Sequence, residues 1–471
     1  MIRMVEKLAA GTVCAALMAT VALPASAQSM QELRQQLETL QRQFEDLERQ
    51  QQETAREARE AKEKTDAIDD SLSNVVFEWA PGPTIRTKDG RFSFHVRGRV
   101  QTDYNYISAS NGDVDTNTME LRRARLGIEG VAWHDVQYKF EVDFADDDVS
   151  VTDAFVAFKQ IKPVTLIIGQ FKTPNSMEEQ TSSRYITFME RAQFTDAFAL
   201  NRRLGAGADV NGPNWSVATG VFFQNTGDED DAGPFKNTFG AVAARAHYAI
   251  PFGTEGQHSV HLGTSVRYRN CDNDLNSSDA CGGDRVRFRQ RPFFHGTDNR
   301  TVNTGTIDNV TSDIFWGPEL ALVRGPLAIK GEGGLLWGSR DSDVPGVDTR
   351  NFGAVWGAFA DVAYFLTGEN QPYSKGSGTF GRPRVNNPVF QGGWGAWELA
   401  ARFDYLSLND SDNGIQGGEQ WVVVAGVNWW LNRHTRVMFN YAHTEVNQAG
   451  TPTDNRNFGV DGFGIRAQVD W

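Results

Sequence analysis

The chain has 471 residues, a net charge of −14 from 46 Lys+Arg against 60 Asp+Glu, and a mean hydropathy of −0.45. That hydropathy leaves no room for a bundle of apolar transmembrane helices, and the negative balance argues against a nucleic-acid partner, which requires a concentrated basic surface. With 46 glycines, 12 tryptophans and 30 phenylalanines the chain is too aromatic for a disordered polymer, and it matches a fold of many short strands and tight turns.

The first predicted element is a leader. Arg3 and Lys7 precede the short apolar run "LAAGTVCAALMATVAL", which ends at Pro24 and "ASA". This is the layout of a secretory signal peptide spanning 1–27. The alternative is a membrane anchor, which calls for a longer apolar core. Cys14 lies inside this segment without the context of a lipoprotein cysteine.

Residues 28–73 change character, with no glycine or proline and much Gln, Glu and Arg. Leu33, Leu37, Leu40, Phe44 and Leu47 fall at alternating spacings of four and three, the a/d pattern of a coiled coil. A helix with such a stripe implies self-association, and at 1.5 Å per residue it would reach roughly 65 Å into a periplasm. A solvated single helix or a linker is the alternative. Residues 74–90, with "APGPT", read as a linker.

From 91 to 471 the pattern is β. In "RFSFHVRGRVQTDY", Phe92, Phe94, Val96, Gly98 and Val100 alternate with His95, Arg97, Arg99 and Gln101. In "VQYKFEVDF", Val136, Tyr138, Phe140, Val142 and Phe144 alternate with Gln137, Lys139, Glu141 and Asp143. Further strands are expected near Thr118, Val151, Val164, Leu204, Trp215, Phe239, His258, Ser312, Leu327, Phe352, Trp394, Glu419, Thr435 and Gly459, making about sixteen. Short links such as "VAWHD", "QIKP", "VNGPN", "VRGP" and "LNRH" alternate with long ones at 105–117, 172–202, 225–237, 270–311, 339–351, 409–418 and 447–457. An antiparallel transmembrane barrel with short turns on one rim and long loops on the other produces this alternation. The long 366–393 link breaks the rule on the short-turn side. A β-sandwich array would also show period-two strands, but "GFGIRAQVDW" places Phe463, Ile465, Ala467, Val469 and Trp471 on one face. An aromatic ending on such a strand is the usual signal for outer-membrane insertion. The fold class is therefore all-β: a transmembrane antiparallel β-barrel preceded by an N-terminal α-helical coiled coil.

Cys271 and Cys281 flank the polar stretch "CDNDLNSSDAC". In an oxidising compartment they are expected to pair as a disulfide. A metal pair is the alternative, but no further Cys or His stands at a useful spacing, and no metal or cofactor is implied.

If the apolar face meets lipid, parity places Arg97, Arg99, Arg123, Arg125, Lys139, Arg245, Arg267, Arg269, Arg402 and Arg466 in the lumen and turns Arg122 outward. Two long loops add Arg184, Arg191, Arg202 and Arg203, and the "RVRFRQR" run of Arg285, Arg287, Arg289 and Arg291. These arginines either pair with Glu129, Glu141, Asp143 and Asp153 or attract anions. The run on one strand face is the less easily explained by pairing. The clusters "FADDDVS" and "TGDEDDAG" would carry the negative balance at the outer rim.

Several stretches resemble the phosphate-selective porin O/P family of Gram-negative bacteria: "FSFHVRGRVQTDY", "LRRARLGIEG", "VTDAFVAFK", "IIGQFKTPNSMEEQTSSRYITFMERA", "YFLTGENQPY", "GGWGAWELAARFDYLSL" and "GVNWWLNRHTRVMFNYAHT". They cover the barrel in order. The resemblance implies a sixteen-stranded, trimeric outer-membrane barrel with an arginine ladder leading to a constriction shaped by inward-folded loops and one long periplasmic turn. Carried over by motif, the anion constriction would use Arg122, Arg123, Asp153, Ser182, Ser183, Arg191 and, on the turn, Lys375, and this chain's own Arg125 is expected to join them. The ladder would use Arg97, Arg99, Arg267, Arg285, Arg287, Arg289 and Arg291. The chain departs from relatives by carrying Arg125 where a tyrosine is expected, and Glu178 and Glu179 where a lysine is expected.

The expected function is a passive, anion-selective porin for phosphate or polyphosphate-type anions. Its surroundings would be outer-membrane lipid and lipopolysaccharide, with two further copies of the chain and a cell-wall contact through the coiled coil. Competing readings are a general or weakly cation-preferring diffusion porin, a structural outer-membrane tether, and a barrel enzyme, for which no Ser, His and acid arrangement stands out.

Overall fold

The computed structural model describes residues 30–79, 82–112, 114–145, 149–223, 240–254, 257–271, 281, 284–341, 351–447 and 457–471. The expected leader, the acidic clusters at 146–148 and 226–233, and most of the loops at 225–237, 339–351 and 447–457 lie outside the described residues.

Two units make up the chain, the first ending at Asn74 and the second spanning Val75–Trp471. The first contains one helix, α1 (Met30–Ser73). Leu33, Leu37, Leu40, Phe44 and Leu47 stand exposed along it, the continuous apolar stripe that the heptad spacing requires.

The second unit starts with β1 (Val75–Glu78) and β2 (Thr84–Thr87), an antiparallel hairpin. The stretch expected as a linker is thus structured, and β2 pairs with the next strand through Ile85↔Phe94. The wall then runs through β3 (Ser93–Ala109), β4 (Thr116–Ala132), β5 (Val136–Asp143), β6 (Ser150–Phe158) and β7 (Val164–Lys172). After two helical turns, α2 (Met177–Gln180) and α3 (Gln193–Ala197), come β8 (Arg202–Asn211), β9 (Trp215–Phe222), β10 (Ala241–Phe252) and β11 (His258–Asn270). The next loop holds four two-residue strands, β12 (Arg285–Val286), β13 (Arg289–Gln290), β14 (Val302–Asn303) and β15 (Ile307–Asp308). The wall resumes with β16 (Val310–Arg324), β17 (Leu327–Arg340) and β18 (Phe352–Phe365). A small hairpin of β19 (Tyr373–Ser374) and β20 (Thr379–Phe380) interrupts the following connection. The last strands are β21 (Ala396–Asp410), β22 (Ile415–Asn432), β23 (Thr435–Asn447) and β24 (Asn457–Asp470).

Pairing of β24 with β3, from Val460↔Ala109 to Asp470↔Arg99, closes a sixteen-stranded antiparallel barrel. Every long strand falls where the alternation predicts it. Two expected long loops contract, to 110–115 and 411–414, because β3 and β22 continue beyond their apolar cores.

Outward positions carry Leu126, Ile168, Leu262, Leu320, Phe403 and Phe463, all exposed, while the inward neighbours Arg99, Arg123, Arg402 and Arg466 are buried. This inverts the pattern of a water-soluble barrel. An apolar band of this extent is stable only against lipid. No helix of the described residues is long and apolar enough to cross a membrane, so crossing is left to the strands, which satisfy one another's backbone groups.

Candidate functional site

The loop at 173–201 folds into the lumen because the wall offers hydrogen-bond acceptors and donors to its backbone. The opening N–H groups of α2, which a helix leaves without intrahelical acceptors, donate to the Glu332 carboxylate from Met177 at 2.9 Å and Glu178 at 2.7 Å. The Ser176 hydroxyl accepts from the Glu179 N–H at 3.1 Å, and Asp404 accepts from the Gln193 N–H at 2.9 Å. In the other direction, Arg436 donates to the Ile186 carbonyl at 2.9 Å and Arg466 to the Met189 carbonyl at 2.5 Å. Phe188, Phe194 and Phe198 of this loop are fully buried. The Arg402 guanidinium lies 4.7 Å above the Phe188 ring and 4.5 Å above Phe359.

Two acids of the loop remain charged despite their surroundings. Burial opposes ionisation of Glu178, but Arg402 and Lys330 outweigh it and hold the carboxyl below its ordinary range. Glu190 is likewise buried, yet Arg122 and Arg466 hold it well below the ordinary value. Its two oxygens accept from Arg122, both at 3.0 Å, and one also from Arg466 at 2.8 Å.

Two more segments turn inward. In the 271–309 loop, with Cys271 and Cys281 joined by a disulfide (Cα–Cα 4.6 Å), Gln290 donates to the Gln193 carbonyl at 2.9 Å and Thr301 to Gln420 at 2.6 Å. From the short-turn rim, the β19–β20 hairpin is held by Arg245, which donates to the Ser377 and Gly378 carbonyls at 3.2 and 2.9 Å. It reaches the first loop, where the Phe380 N–H donates to the Thr181 hydroxyl at 3.2 Å. Burial raises the Tyr373 hydroxyl on this hairpin above its ordinary value.

Two cavities beside the β3–β10 wall adjoin these plugs. The one toward the long loops has about 370 Å³ and is lined by Arg122, Arg123, Arg125, Arg191, Arg202, Arg287, Arg289, Arg291 and Arg300, against three carboxylates, Glu179, Glu190 and Asp196. The one toward the short turns has about 420 Å³ and contains Arg97, Arg99, Lys139, Lys172, Arg202 and Arg245 with Glu141, Asp153 and Asp209. Arg202 lines both. It donates to Asp153 at 2.8 Å, and Asp153 also accepts from Lys139 at 2.5 Å. Glu179 stands at the same level, 2.9 Å from Arg191 and 3.7 Å from Lys172.

The expected constriction residues divide between these cavities. Arg122 points inward, contrary to strand parity: the register slips between Gln101↔Arg123 and Thr102↔Leu121, leaving Arg122 as the extra residue of a β-bulge, so that two consecutive arginines share the lumen side. Arg123 is buried, donates to Gln101 at 2.9 Å, and has no carboxylate within 4 Å among the described residues. Arg125 is neutralised by Asp143 at 2.6 Å and Glu141 at 3.5 Å. Asp153, Ser182 and Ser183 line the short-turn cavity, and Ser183 accepts from Arg99 at 2.8 Å. Arg191 lines the other.

Three expected members do not line either cavity. Lys375 lies on the inward hairpin and serves through its backbone carbonyl, 2.8 Å from His247 Nε2. Arg267 is buried against the Phe315 ring and the Ala199 carbonyl. Arg285 pairs with Asp308 at 3.0 Å in an exposed position. The "RVRFRQR" run is not one strand: β12 and β13 pair with different partners, so Arg285 diverges while Arg287, Arg289 and Arg291 remain together. Arg97, paired with Glu129 and Glu141, and Arg99 open on the short-turn side. Sequence reasoning missed Lys172, Glu190 and Arg300. Of these, only Glu190 carried a signal, its place beside Arg191 in "MERA".

A closed, lipid-facing barrel whose lumen is narrowed by inward loops is an outer-membrane porin. The family described as phosphate-selective porin O and P matches residues 94–471, and the chain belongs to it. An uncharacterised protein of Caulobacter vibrioides is 32% identical over 404 residues, 83% of this chain and 76% of the relative. Porin O of Pseudomonas aeruginosa is 26% identical over 429 residues, 84% and 92% of the two chains. Among solved structures, outer-membrane OmpT of Vibrio cholerae shares the fold with a TM-score of 0.51 at 12% identity, covering 81% of this chain and 98% of that one. The protein is thus a channel of the Gram-negative outer membrane.

Proposed function

We propose that the chain is an anion-selective porin that passes phosphate-type anions. The observation that carries this reading is the nine-to-three excess of arginines over carboxylates in the long-loop cavity, where Arg123 and Arg287 lack a carboxylate within 4 Å among the described residues. Guanidinium stays charged at any relevant pH and presents a planar fork to phosphate oxygens. An anion entering from the long loops exchanges its oxygens among the arginines of this cavity. It then passes the Arg202, Glu179 and Lys172 level, where fixed carboxylates compete for the same cations. That competition keeps each site shallow, as conduction requires.

In this reading the short turns face the periplasm, and so does the coiled coil of 28–73. The barrel, 91–471, sits in lipid and lipopolysaccharide, and the apolar stripe of α1 joins three copies. Purified protein in a planar bilayer tests the selectivity. A salt gradient gives a reversal potential of anionic sign, and phosphate added to chloride lowers the current. A cationic sign without phosphate block would establish instead the general diffusion porin that the −14 charge favours.

A further inference from the structure

The short-turn cavity is the more apolar of the two. On β7, Leu166 and Ile168 are exposed outward, so Ile167 and Phe171 face the lumen, where both line the cavity together with Phe155 of β6. The register makes these three contiguous: Phe155 pairs with Gly169, between Ile167 and Phe171. Gly169 pairs with Gly205, and Ile167 with Gly207. No side chains project from these glycines, and a Cβ at Gly207 would come within 3.1 Å of the Phe171 ring, so the glycines let the ring lie against the wall. Phe155 and Phe171 meet edge to face at 6.3 Å. The directly opposed cross-strand partner of Phe155 is Lys139, whose ammonium shares Asp153 with Arg202.

From this juxtaposition we infer that the short-turn cavity binds organic monoanions with an aromatic or short aliphatic body. The carboxylate or phosphonate head meets Lys139 and Arg202, and the body lies on Phe155, Ile167 and Phe171. A hydrated inorganic ion gains nothing from these side chains, whereas an apolar body removes them from water. A volume of about 420 Å³ is within the range of small-molecule sites. The inference rests on the anion-channel reading and narrows its substrate class.

The test uses the full protein in planar bilayers carrying chloride current, with benzoate, acetate and benzyl alcohol as ligands. Benzoate is expected to block at a concentration about tenfold below that of acetate, the value for partial burial of one ring, and benzyl alcohol is expected to have no effect. Phe155→Ala and the milder Ile167→Thr, read in channels that conduct chloride, should each shrink the benzoate–acetate difference; Leu166→Ala on the lipid face should retain it. Equal block by benzoate and acetate, equal block by benzyl alcohol, or an undiminished difference in both lumen variants overturns the inference while an anionic reversal potential leaves the channel reading standing. A cationic reversal potential with no carboxylate block overturns the reading on which it rests.

Discussion

Arg123 and Arg125 stand two residues apart on one strand, line the same cavity, and differ in one physical respect: only Arg125 has carboxylates within ion-pair distance. Arg123→Gln therefore removes a cation whose field is not already cancelled. A charge-assisted hydrogen bond contributes about 1.5–3 kcal/mol, so the phosphate concentration giving half-block should rise roughly 10- to 150-fold. Arg125→Gln removes the partner of Asp143, held at 2.6 Å. Glu141 keeps Arg97 at 3.1 Å, while Asp143 is left facing the lumen. The expected result is a weakening of phosphate block of less than about threefold, since the lost cation was already engaged, together with a shift of the reversal potential toward cations. The assay is phosphate titration of chloride current in single channels of each variant. Equal loss of block in the two variants would refute the reasoning, because carboxylate pairing would then not decide which arginines bind.

Three further outcomes follow from the contacts. Gly98→Ala should impair barrel closure: its Cβ would fall 2.0 Å from the Trp471 ring, and overpacking of this kind costs at least about 1–3 kcal/mol; an unchanged urea midpoint of the folded barrel would contradict it. Glu178 and Glu190 have folded values below the ordinary 4.5, so their contribution to loop anchoring is present above that pH and is lost as the pH falls through the lower folded values. Proteolysis of the 173–201 loop should thus increase as the pH falls below about 4.5, and an unchanged sensitivity in that acid range would contradict it. Glu190→Gln should loosen the same loop at neutral pH, because breaking a buried pair from one side costs about 3–5 kcal/mol; a protease sensitivity equal to that of the unaltered channel counts against it.

The barrel was legible because period-two alternation records both solvents of a membrane strand at once. Leu126 and Arg125 reveal lipid and lumen without any tertiary information. Arg122 was not legible from parity, since one inserted residue reverses the face of everything beyond it and no residue type announces a bulge. The split of "RVRFRQR" was equally hidden: the backbone partners of Arg285 and Arg289, Asp308 and Asn303, are chosen by the fold of a long loop. The 74–90 hairpin was missed because four-residue strands are too short for alternation to stand out from a linker. Contacts such as Glu332 with Met177 join distant strands and loops, and local pattern contains nothing about them.

A count of lumen arginines overstates the conducting set for a physical reason. A loop folded into the lumen brings backbone N–H and C=O groups that must be satisfied away from bulk water. The wall meets the two kinds of group with acceptors and donors: Glu332 and Asp404 take the N–H groups of 177, 178 and 193, while Arg436 and Arg466 donate to the carbonyls of 186 and 189. These guanidiniums are buried and already employed in holding the loop, and Arg402 is enclosed between two aromatic rings. All three stand on β21–β24, whereas Arg99, Arg123, Arg125 and Arg202, on β3, β4 and β8, remain on the cavity walls. The charge of one half of the barrel is consumed in building the constriction, and this leaves the other half to act on what passes through it. Neutralising Arg436 should therefore loosen the loop before it alters ion preference, and neutralising Arg123 should do the reverse.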